Sequence, residues 1–250
     1  MRTASCTLLI ALLQGCAHGS SPSGSTTPAP DGGAPRVLFI GNSLTESNGL
    51  TQMVAALARA AGQPLAVETV VVPGFSLEDH WNQGAARRVI ARGGWRFVVL
   101  QQGPSSLPES RVNLVEWTGR FGQEIRAVGA RPALYSVWPE AARFSVFGDV
   151  TQSYLAAAAS VDGVFLPAGE AWRAAWRRSP DLELYGPDGF HPTPHGTYLA
   201  ALVIAAQLLG RSADGLAQDV GAGVPAVRLS TSERALFEAS ANEAIVSFAR

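Results

Sequence analysis

The stretch VLFIGNSLTESNG, Val37 to Gly49, runs four apolar residues into a glycine and sets a serine two positions further on. Val37 to Ile40 is continuously apolar and partly β-branched, as a strand covered on both faces is. A strand of that kind ending in Gly41-Asn42-Ser43 admits two readings. Ser43 is a turn or capping serine, since Ser and Asn both favour helix starts. Or it is a nucleophile aimed into a cleft, and the rest of the chain decides between them.

Working outward, four more short apolar runs follow: Ala66 to Val72, Phe97 to Leu100, Pro132 to Trp138 and Gly163 to Leu166. Between and after them lie segments with apolar residues recurring at three and four. These are Leu50 to Ala61, Leu77 to Ala91, Ser110 to Val128, Ala141 to Ser160, Ala168 to Arg178, Pro194 to Leu209 and Ser230 to Phe248. Such alternation predicts an α/β fold, a parallel sheet with helices on both sides. Gly210 to Val227, rich in Gly, Ala and Asp, reads as a long loop, and no internal repeat is visible. In sheets of this type ligands collect beyond the carboxyl ends of the strands. Ser43, Gly74 and the segment Gln102 to Ser106 each fall just past a run, so three polar clusters share one rim.

The bulk numbers exclude several classes. With 250 residues, 47% of them hydrophobic, the chain can bury a sizeable core and is not disordered. Formal charge is −1, from 19 basic and 20 acidic side chains, and no lysine occurs. That balance leaves no electrostatic footprint for nucleic acid. The pairs Arg87-Arg88 and Arg177-Arg178 read as solvated helix faces. Both cysteines, Cys6 and Cys16, stand near the N-terminus, so the folded part has no disulfide, thiolate chemistry or Cys-based metal site.

The segment MRTASCTLLIALLQGC has a positive start at Arg2, then an apolar run, Thr7 to Leu13, too short for a permanent membrane span. Leu13-Gln14-Gly15-Cys16 resembles a bacterial lipoprotein signal, with Gln14 departing from the small or apolar residue usual there. An ordinary secretory signal with a chance cysteine is the alternative. The lipoprotein resemblance makes residues 1–15 a signal peptide and Cys16 the lipidation site. Residues 16–35, dominated by Ser, Pro, Gly and Thr, become a flexible tether, and 36–250 the working domain. Acyl chains on Cys16 would hold that domain at a membrane of the cell envelope. By the same resemblance, Ala17 after the cysteine points to the outer membrane or periplasmic face.

A serine hydroxyl needs a base within hydrogen-bond reach, and the base needs an orienting partner. Past the tether the histidines are His80, His191 and His195. GPDGFHPTPHG sets Asp188 three residues before His191, among glycines and prolines that favour a fixed turn. On such a turn the carboxylate can hold one ring nitrogen while the other faces the serine. His191 and His195 have the i, i+4 spacing of a zinc pair, but Pro192 and Pro194 intervene and no HExxH glutamate is present, so no metal is expected. The six tryptophans invite a carbohydrate reading, although packing is the better default. Trp138, ending the fourth run on the rim of Ser43, is the candidate for substrate contact. Glu183 with Asp188 as a glycosidase pair has nothing to fix its separation.

GNSLT after the first run, Val72-Pro73-Gly74 after the second, and Asp188-x-x-His191-Pro192 near the end together resemble the GDSL, or SGNH, hydrolases, serine esterases and lipases. The resemblance spans about Val37 to Leu209. It implies a three-layer α/β/α sandwich with a flavodoxin-like, five-stranded parallel sheet. It makes Ser43 the nucleophile, His191 the base and Asp188 its partner, with the oxyanion held by the N–H groups of Ser43 and Gly74. Asn42 replaces the signature aspartate. The third block departs further. Where the family has Gly-x-Asn-Asp, this chain reads Gly103-Pro104-Ser105-Ser106, and either Ser105 or, preferably, the amide of Gln102 would be the third oxyanion donor.

The resulting expectation is a cofactor-free, membrane-anchored serine hydrolase of carboxylic esters. Its acyl group would be short, and acetylated saccharides are attractive substrates. The alternative is a non-catalytic glycan-binding module on the same fold, motivated by the altered third block.

Overall fold

The computed structural model describes Met1, residues 33–221 and residues 223–249. The expected leader and lipidation site, Cys16 included, lie outside the described residues, as does the expected tether up to residue 32.

The apolar runs form strands Arg36–Gly41 (β1), Ala66–Val71 (β2), Trp95–Leu100 (β3), Arg131–Tyr135 (β4) and Val164–Leu166 (β5). They pair in parallel in the order β2-β1-β3-β4-β5, with Ile40 opposite Val70 on one side and Leu100 on the other. Central β1 carries five buried residues, Val37 to Gly41, which explains its unbroken hydrophobicity. β2 differs from expectation. It is an edge strand, and none of its six residues is fully buried.

The helices are Ser43–Glu46 (α1), Leu50–Ala60 (α2), Leu77–Gln83 (α3), Ala85–Ile90 (α4), Pro108–Ala127 (α5), Phe147–Ser160 (α6), Ala168–Arg178 (α7), Pro194–Leu209 (α8) and Thr231–Ser247 (α9). The step from β1 to β2 moves one way across the sheet, and the next three steps move the other way. Right-handed crossovers therefore set α2 on one face and α3 to α6 on the opposite face. α7, α8 and α9 pack with the α2 layer. This is the three-layer α/β/α sandwich with a five-stranded parallel sheet.

Two expected helices are broken. Leu77 to Ala91 divides at Gly84, whose φ of 77° leaves the helical region. Ala141 to Ser160 opens with a 3₁₀ segment, Ala141–Val146, before α6. α8 is apolar nearly all round because α2, α7, α9 and β5 cover it. Among the described residues no helix is long and apolar enough to cross a membrane. Arg177 and Arg178 are not merely solvated. Both pair with Glu243, tying α7 to α9, and Arg87 pairs with Glu124 on α5 at 2.6 Å.

Candidate active site

The site begins at the abrupt end of β1. A Cβ on Gly41 would collide with Thr45 Oγ1 and Gln101 Oε1, so only glycine lets the chain pass beneath them. Asn42 then caps α1, its Oδ1 accepting from Leu44 N at 3.1 Å. Its backbone N–H donates to Gln101 Oε1 at 2.9 Å, and its Nδ2 donates to Phe75 O at 3.0 Å. Gln101 is saturated. Its oxygen also accepts from Thr45 Oγ1, and its Nε2 donates to Asn42 Oδ1 and Gln102 O. Beside them His80 is fully buried, with Nε2 at 2.8 Å from Gly41 O. Burial lowers its pKa, so the ring is neutral and donates its Nε2 proton. This buried polar platform under Ser43 escaped the sequence reading. The only trace was the Gln101-Gln102 pair at a strand end.

Asp188 and His191 arrive from the α7–α8 connection. That loop is stapled by Gly186 N to His191 O at 2.7 Å, Gly189 N to Gly186 O at 3.0 Å and Thr193 N to Leu184 O at 2.9 Å. Gly189 has φ of 67°, which suits glycine. Asp188 Oδ1 accepts from the N–H groups of Phe190 and His191, and Oδ2 lies 2.6 Å from His191 Nδ1. The bond to the His191 ring, then the one to Phe190 N–H, lowers the Asp188 pKa to about 2. His191 Nε2 lies 2.9 Å from Ser43 Oγ. Residues 148 positions apart thus form one chain of hydrogen bonds. Asn48 helps hold it. With φ of 53°, it donates through Nδ2 to Pro192 O and Thr197 Oγ1, both at 2.9 Å.

A cleft of about 510 Å³ opens over Ser43 and Gly74, walled further by Phe75, Gln102, Ser105 and Phe190. Among the described residues, no acceptor engages the backbone N–H of Ser43 or of Gly74. The expected third donor is corrected. Gln102 Nε2 is spent on Ser105 Oγ at 2.9 Å and Asn113 Oδ1 at 3.5 Å, while its oxygen accepts from Leu77 N. Ser105 Oγ in turn donates to Gly103 O at 3.0 Å. Both side chains are buried and engaged within the loop, so neither stands ready as an oxyanion donor.

Trp138 is corrected as well. It is 0% exposed, stacked on Trp172 with centroids 3.5 Å apart, and its Nε1 donates to Phe190 O at 3.0 Å. It supports the His191 loop from below and cannot meet substrate. No tryptophan lines the cleft. His195 packs by Phe237, with ring centroids 6.3 Å apart, while the His191 ring faces Ser43 and Asp188.

The chain is similar in structure to a protein described as an SGNH hydrolase from Slackia heliotrinireducens, at 28% identity and TM-score 0.62, over 70% of this chain and 100% of that one. A DUF4886 family protein from Bacteroides uniformis matches at 19% identity and TM-score 0.68, over 86% and 95% of the two chains. An acetylxylan esterase from Geobacillus stearothermophilus matches at 15% and 0.52, over 70% and 93%. No protein-family model and no curated protein matches the chain. The chain therefore shares its fold with solved structures described as an SGNH hydrolase and an acetylxylan esterase.

Proposed function

We propose that the protein hydrolyses short-chain acyl esters of polar alcohols, acetylated saccharides among them, by a Ser43-His191-Asp188 triad. The observation that carries this reading is the unbroken relay from Ser43 Oγ through both ring nitrogens of His191 to Asp188. His191 Nε2 takes the Ser43 proton as Oγ bonds to the ester carbonyl carbon. Asp188 holds the Nδ1 proton and stabilises the imidazolium. The N–H groups of Ser43 and Gly74 receive the oxyanion, two donors rather than three. Collapse breaks the bond to the alcohol oxygen, which leaves with the proton from His191. Water, deprotonated by His191, then releases the acid and restores Ser43.

A fluorophosphonate serine probe is expected to label the wild type and to spare Ser43→Ala, whose kcat falls about 10³-fold or more. Labelling that persists in Ser43→Ala refutes the assignment. The glycan-binding alternative draws no support from the cleft, which has no tryptophan platform.

The leader motif supports an envelope location, with the domain tethered through acylated Cys16. In a bacterial host, an alkyne palmitate analogue should label the full-length chain and not Cys16→Ala. Equal labelling of both removes the anchor.

A further inference from the structure

The cleft wall carries one guanidinium, that of Arg143. It belongs to the 3₁₀ segment Ala141–Val146, at a residue with φ of −115° that kinks the turn. The segment is fixed to the His191 loop: Ala141 N donates to Gly189 O at 2.8 Å, and Tyr185 OH, on the strip leading into that loop, donates to Pro139 O at 2.6 Å. Arg143 Nη2 donates to Ser106 Oγ at 3.0 Å, joining the third-strand loop to this segment. Among the described residues, no carboxylate lies within ion-pair distance of it, although nine arginine–carboxylate pairs form elsewhere. An arginine that lines the same cleft as Ser43, on a segment bonded to the loop that carries His191 and with most of its donors unspent, suits a bidentate anion. The rest of the wall is mixed, with Ser76, Ser106, Ser110 and Asn113 beside Phe75, Leu107 and Phe190, so Arg143 is its one cationic group.

We infer that Arg143 is a specificity residue that binds a carboxylate on the alcohol portion of the substrate, so that the preferred ester is a short acyl ester of an acidic alcohol. This rests on the proposed hydrolase activity and adds the charge of the substrate.

Acetate esters of straight ω-hydroxyalkanoates of graded length, each compared with its neutral primary amide, test it. Both members of a pair share the same scissile bond, so only charge differs. At the best length, kcat/KM is expected to favour the carboxylate about tenfold. Arg143→Gln should remove that preference, Arg143→Lys should keep part of it, and added salt should erode it in the wild type. A general loss of alignment would lower both members alike and leave the ratio in place. No preference at any length, or one that survives Arg143→Gln, overturns the inference. The neutral amides report separately on the underlying reading. Their hydrolysis, lost in Ser43→Ala, keeps the esterase assignment whatever Arg143 does. No Ser43-dependent turnover of any ester overturns both.

Discussion

The amide of Asn42 performs three tasks that no carboxylate performs together. It accepts from Leu44 N and Gln101 Nε2, and it donates to Phe75 O beside Gly74. The signature aspartate of the resembling family would place a buried oxygen against the Phe75 carbonyl and lose that donor. Asn42→Asp should therefore slow turnover and cost about 1–3 kcal/mol of stability, although it restores the GDSL letters. Chemical denaturation beside ester kinetics checks this, and an unaltered or faster enzyme contradicts it. Asp188 sets another expectation. With its pKa at about 2, it stays ionised wherever a histidine base operates. Asp188→Asn should lower kcat about 10²- to 10⁴-fold at every pH. A near-normal rate in that variant would dismiss the carboxylate's role. The residues of the proposed triad were legible as types because Ser43, Asp188 and His191 sit beside turn-forming glycines and prolines. The donors of Gln102 and Ser105 were not, since a sequence gives the capacity of a side chain and not the partner that consumes it.

At the level of elements, the strand and helix pattern was readable because apolar period reports which faces are covered. α7 and α8 occupy the expected spans, Ala168–Arg178 and Pro194–Leu209. The misjudged places are junctions. Gly84 splits one helix, a 3₁₀ turn opens another, and Trp138 lies beyond β4 in the layer beneath the loop. Each depends on a neighbour remote in sequence. Asn48 shows the same dependence functionally, fastening the turn after α1 to the loop before α8. Asn48→Ala removes both bonds and asks alanine to hold a left-handed backbone. It should reduce kcat about tenfold with little change in KM, because the base is misplaced rather than the substrate. Steady-state kinetics decide it, and a pure KM effect would count against a positioning role.

Across the whole molecule the buried platform links stability to pH. His80 is neutral in the core, and burial sets its pKa below the ordinary imidazole value. The unfolded chain takes up a proton near pH 6.5 that the folded chain refuses until lower pH. The stability from this group is full above that pH and is lost as pH falls through the depressed value. Melting temperature should thus decline more steeply from pH 7 to 5 in the wild type than in His80→Gln, whose amide can still donate to Gly41 O. Parallel declines would show that His80 is not the titrating group. Carboxylates such as Asp79 and Asp188, with pKa values already lowered, titrate below this window.

By itself the sequence determined the layer architecture, the rim on which polar residues gather, and the serine, histidine and aspartate available there. Those follow from local chemistry, namely burial written as apolar period and turns written as glycine and proline. Only the tertiary structure decided that Gln102 and Ser105 are bonded to each other, that Trp138 lies under the His191 loop, and that Arg143 lines the cleft with no acid within ion-pair distance among the described residues. Each is settled by which distant groups share a buried space, and hydrogen-bond saturation is a property of that shared space.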